Sequence, residues 1–137
     1  MKKEFKRELT ALDGIFGFVE DFTTTNRVGE DVTFSVKLAV EELFTNLLKH
    51  NTGGSDHIDI DLTREENKLV IVLKDFDVEP FDITQTKPVD IHQPLDERMI
   101  GGLGIHLVKS IVDKLTYEYK DRILCVIAIK NLEGKDV

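Results

Sequence analysis

The chain has 137 residues, enough for one domain with its own core, and its 41% hydrophobic and 32% charged fractions suit a soluble globular protein. Lys and Arg number 18 against 26 Asp and Glu, a net charge of −8 that argues against a broad nucleic-acid-binding surface. It does not exclude a nucleotide, whose phosphates can be held by backbone N–H groups, a metal ion and a few local cations.

The opening MKKEFKRELT is charged and lacks the apolar run of a signal peptide, and no apolar stretch is long enough to span a membrane. Cys125 is the single cysteine, within ILCVIAI, and cannot form an internal disulfide. Together these lead us to expect a cytoplasmic protein, with Cys125 a small buried hydrophobe rather than a nucleophile.

Residues 3–9 alternate charged and apolar, with Phe5, Arg7 and Leu9 in one register, and predict a short strand with one wet face. Leu12, Ile15, Phe16, Val19 and Phe22 recur at helical spacing and predict an amphipathic helix over 11–23. A polar turn at 23–29 leads into a long helix starting at Asp31 or Thr33. Glu30 and Asp31 lie near its positive end, it runs to about Asn51, and Gly53–Gly54 stops it.

From His57 to Thr63, Ile58, Ile60 and Leu62 alternate with Asp59, Asp61 and Thr63, a half-buried strand. Lys68–Lys74 is a more fully apolar one, and the turn at 65–67 makes the two a hairpin. Residues 75–99 contain all three prolines and little periodicity, which suits a lid or binding loop better than a linker. Gly101, Gly102 and Gly104 then open a helix carrying Ile105, Val108, Ile111, Val112 and Leu115. Strands at 115–119 and 123–129 close the chain around Lys120–Arg122, and the tail from about 132 is expected to fray. The order predicts an α+β two-layer sandwich over residues 1–137, helices covering one face of a mixed, mostly antiparallel five-stranded sheet.

Three elements could carry chemistry. In EELFTNLLKH (41–50), Glu42 and Asn46 are four residues apart and share one helix face at the edge of an apolar stripe. A glutamate there can act as general base and an amide oxygen can ligate Mg²⁺; a solvated helix face is the plainer alternative. In MIGGLGIHLVK (99–109), glycines before a helix let N–H groups approach a phosphate, although the lysine and hydroxyl residue of a P-loop are missing. In DFDVEPFD (75–82), a carboxylate at the end of a buried strand can receive the exocyclic amine of a base; an acidic turn closed by Pro80 is the alternative.

In this order and spacing, the three elements resemble the GHKL ATPases of the Bergerat ATP-binding fold. The closest likeness is to the anti-sigma-factor serine/threonine kinases. EELFTNLLKH matches the N box, Pro80-Phe81-Asp82 follows the first glycine box, and GGLGIHLVKSIVDKLTYEY (101–119) matches the second glycine box with its helix and strand. The resemblance covers about residues 5 to 130. It implies ATP and Mg²⁺ as cofactors, Asn46 as metal ligand and Glu42 as the base that activates the attacking hydroxyl. It also implies that Gly101, Gly102, Leu103, Gly104 and Ile105 meet the phosphates and that 83–100 is the ATP lid. The implied partners are an anti-anti-sigma (STAS) protein phosphorylated on Ser or Thr, a sigma factor and a second copy in a homodimer, with no direct nucleic acid and no membrane.

One place departs from the pattern. The family has Asp-x-Gly ahead of Pro-Phe-Asp, its Asp recognising the adenine amino group. Aligned on Pro80-Phe81 without a gap, those places hold Phe76 and Val78, and a valine does not readily adopt a positive φ. Asp75 or Asp77 takes the adenine role only with a one-residue shift. The departure supports a second expectation, an inactive GHKL-fold regulatory binding protein with weak or no ATP binding. A sensor-kinase ATPase domain separated from its phosphoacceptor helices is a third.

Overall fold

The computed structural model describes residues 1–50, 55–78 and 102–132. The expected lid at 83–100, the Pro80-Phe81-Asp82 segment and Gly101 lie outside the described residues. The elements are β1 (Lys2–Lys6), a 3-10 turn (Leu9–Ala11), α1 (Leu12–Thr25), α2 (Glu30–His50), β2 (His57–Glu65), β3 (Lys68–Phe76), α3 (Gly102–Ile111), β4 (Lys114–Lys120) and β5 (Ile123–Asn131).

The five strands lie in the order β1-β2-β3-β5-β4, and all four pairings are antiparallel. β3 and β4 therefore run in the same direction without touching. The connection through α3 carries the chain past the place that β5 fills when the last hairpin folds back. This is the α+β two-layer sandwich that the element order predicts.

Two tight turns set the hairpin registers. Glu66 has φ 53°, and Asp121 and Arg122 have φ 54° and 66°. Two successive residues with positive φ give the turn twist that matches flanking β-strands, so β4 and β5 meet directly.

Alternation along the strands sends one set of side chains inward. Ile58, Ile60 and Leu62, then Leu69, Ile71 and Leu73, then Leu124, Val126 and Ala128 are all buried, against Ile15, Val19 and Phe22 of α1, Val40, Leu43, Phe44 and Leu47 of α2, and Ile105 and Val108 of α3. Each large side chain fully removed from water contributes roughly 1.5–3 kcal/mol. The Phe5 and Phe18 rings meet edge to face at 5.5 Å, fastening β1 to α1. Leu132 is buried and its N–H donates to the Asn67 carbonyl at 2.6 Å, so ordered packing extends through the start of the expected tail. The opposite sheet face, bare of helices among the described residues, carries Val70, Val72, Cys125 and Ile127 at partial burial.

Candidate functional site

The apolar stripe of α2 is buried, and this decides where its polar residues stand. Asn46 follows Leu43 and Phe44 and precedes Leu47, all fully buried, and is itself only 5% exposed. Glu42, one turn earlier on the same face, is partly buried. Burial raises the Glu42 pKa from its ordinary value; Glu41 adds to the rise and Lys49 opposes it. A carboxylate whose pKa is raised is a stronger base toward the proton of a hydroxyl.

α2 packs along α3, and α3 begins at Gly102, so Gly102, Leu103, Gly104 and Ile105 make up its first turn. The N–H groups of a helix's first turn lack intrahelical partners and carry the positive end of its dipole, the chemistry that holds phosphate oxygens. Ile105 contributes in a second way: its side chain is fully buried in the core.

Asp75 lies near the end of β3, paired across to Ile58 and Leu124 in the inward register, and is completely buried. Its carboxylate forms an ion pair with Arg7, whose side chain is 11% exposed. The Arg7 guanidinium also donates from Nε to the Ser55 carbonyl at 2.9 Å and from Nη1 to the Leu47 carbonyl at 3.4 Å. One side chain thus ties the residue after Asn46, the entry to β2 and the end of β3 to the first strand. Burial lowers the Arg7 pKa, but from so high a start that the guanidinium keeps its charge. The sequence pattern marks Arg7 only as a strand residue in register with Phe5, not as part of a site. The available signal was its place two residues after Phe5, a charge in the inward register of a strand.

Asp77 is placed differently. It has φ 60°, is exposed, and its Oδ1 stands 3.3 Å from Arg122 Nε on the β4–β5 turn. Val78 is buried, its N–H donating to the Arg122 carbonyl at 3.0 Å and its own carbonyl accepting from the Tyr119 hydroxyl at 2.7 Å. Phe76 turns to the sheet's other side, where its ring meets His57 at 5.4 Å. The residue with the left-handed backbone is Asp77, two after Asp75. Tyr119 and the buried Val78 side chain hold the strand end in that register.

A cleft of about 370 Å³ lies between α1 and the start of α2, lined by Thr23, Val28, Phe34 and Lys37 among others. It belongs to the opposite end of α2 from Asn46 and holds none of these groups.

A family model for the histidine kinase-like ATPase domain matches residues 5–130, and the chain belongs to that family. Its relatives include the serine-protein kinase RsbW of Staphylococcus aureus, 31% identical over 110 residues that are 74% of this chain and 67% of that protein. RsbW of Listeria monocytogenes is 30% identical over 108 residues, 74% of this chain and 68% of that one. These likenesses place the chain in the anti-sigma serine kinase branch of the GHKL superfamily. The sensor histidine kinase YxdK of Bacillus subtilis is 29% identical over 92 residues, only 26% of its own length. Among solved structures, a catalytic domain of histidine kinase ThkA superposes over 100% of this chain and 99% of that one with a TM-score of 0.55 at 14% identity, a likeness of fold.

The donor set suits a Mg²⁺–nucleotide at its phosphate end. A buried amide oxygen is a hard ligand of the kind Mg²⁺ takes, and the glycine-opened helix provides N–H groups for phosphate. At the base end, the buried carboxylate of Asp75 already has a cation beside it.

Proposed function

We propose that the protein binds ATP with Mg²⁺ and acts as an anti-sigma factor with serine/threonine kinase activity, phosphorylating an anti-anti-sigma protein of the STAS type. The carrying observation is the Glu42–Asn46 pair, one turn apart on α2, a helix that packs along the glycine-opened α3. The 30% identity to a serine-protein kinase supports the same reading. A sigma factor as second partner, a homodimer, a cytoplasmic setting and a lid at 83–100 belong to this proposal.

When bound, ATP and Mg²⁺ supply a transferable γ-phosphoryl group and the cation that offsets its charge. Asn46 would hold the metal through its amide oxygen, kept in place by the buried residues on either side. Glu42 receives the proton of the partner's hydroxyl, and its partial burial makes it a stronger base than an exposed glutamate. Gly102, Leu103, Gly104 and Ile105 would offer N–H groups to phosphate oxygens, and Asp75 an acceptor to the base.

The test is phosphate transfer from MgATP to the cognate STAS protein. Loss of general base catalysis in Glu42→Gln is expected to slow transfer by about 10²–10⁴-fold. Equal rates for wild type and Glu42→Gln would remove Glu42 from the mechanism. The Arg7–Asp75 ion pair favours a second reading, a binding protein without turnover, because the carboxylate available to a base amine is already engaged. Calorimetry that shows no MgATP binding, with the partner still bound, selects that reading.

A further inference from the structure

On the face of the sheet away from the helices, β1 and β2 place two carboxylates directly opposite one another, Glu4 paired with Asp59. Like charges at directly opposed positions are destabilising unless a cation lies between them. His57 reaches into the same space. Its Nε2 is 3.8 Å from Glu4 Oε1 and 3.6 Å from Asp59 Oδ1, and the three atoms all lie within 4.8 Å of one another.

Asp59 makes this more than an exposed acidic pair. Its side chain is only 9% exposed, and its buried Oδ1 accepts no hydrogen bond from the described residues. Lys2 Nζ approaches the other oxygen, Oδ2, at 3.6 Å, which leaves Oδ1 aimed at the imidazole. His57 is 37% exposed and Glu4 69%, so the space between them opens to solvent.

We propose that Glu4 Oε1, His57 Nε2 and Asp59 Oδ1 form a binding site for a divalent transition-metal ion, with Zn²⁺ the best match. Metal–ligand distances of about 2.0–2.1 Å put tetrahedral ligand atoms about 3.3 Å apart, so two of the three separations need contract by only a few tenths of an ångström. One imidazole with two carboxylates suits Zn²⁺ over Mg²⁺, and three protein ligands leave the solvent side for water. Bound there, the ion would staple the edge strand β1 to β2. The site is on the opposite side of the sheet from Glu42 and Asn46 and does not depend on nucleotide binding.

The test is calorimetric titration of the full chain with Zn²⁺, without nucleotide, alongside thermal unfolding. Wild type is expected to bind one Zn²⁺ and to unfold at a higher temperature with it. His57→Ala should lose both effects, and Glu4→Gln, at a surface position that leaves folding intact, should weaken binding by about tenfold or more. Binding that is absent, or unchanged in His57→Ala, overturns the site. So do His57 ring NMR signals that move with pH but not with Zn²⁺, which would leave only an ion-pair cluster.

Discussion

Arg7 carries its charge inside the protein, and Asp75 is what makes that tolerable. Removing one member of a buried ion pair strands the other, so Asp75→Asn is expected to lower stability by about 3–5 kcal/mol. Replacing both residues by leucine should come out close to neutral, because the charge that has to be compensated is gone. Urea denaturation of the single and double variants separates the two cases. Asp77 shows a different residue-level constraint. Its φ of 60° is unfavourable for most side chains and its ion pair with Arg122 is exposed, so Asp77→Gly should gain a few tenths to about 1 kcal/mol, read from the same denaturation midpoints.

At the level of the element, α2 sets the Glu42 environment. The folded-state pKa of Glu42 is raised, so the folded chain favours the protonated form, and ionisation costs stability as pH rises from the ordinary glutamate range of about 4.3. Glu42→Gln should therefore be more stable than wild type at pH 7 and equal to it well below pH 4, as measured by denaturation at both. A variant that is more stable and slower in phosphate transfer fits a side chain held in an unfavourable environment for chemistry. The helix was legible because Val36, Ala39, Val40, Leu43 and Leu47 keep a 3.6-residue period, and Glu42 and Asn46 interrupt its edge. The role of Arg7 was not legible. Nothing local to a strand says that its side chain will reach across to carbonyls 40 and 48 residues further along the chain.

At the level of the whole molecule, period-2 alternation identified the inward faces of β2, β3 and β5, while their order was beyond it. Which strand fills the gap between β3 and β4 depends on how α3 packs, a long-range matter that no window of sequence contains. The backbone course at Asp75–Val78 has the same origin. Tyr119 on β4 and Arg122 on the β4–β5 turn, both much later in the chain, bond to Val78 and hold the end of β3.

The bare sheet face has one more consequence. Its centre holds Cys125, the chain's single thiol, partly covered by its strand neighbours. Burial raises its pKa, with Glu118 adding to the rise and Lys74 opposing it. At pH 7 the reactive thiolate is therefore scarce, and alkylation by iodoacetamide should run slower than for an unstructured cysteine peptide, a difference a quenched-time-course mass measurement reads directly. Once a fluorophore is attached, the protein carries a reporter at a known place, on the side of the sheet remote from Glu42 and Asn46. Any partner or second copy that settles on that face would shield the dye from a soluble quencher, while a ligand confined to the helical side would leave its emission unchanged.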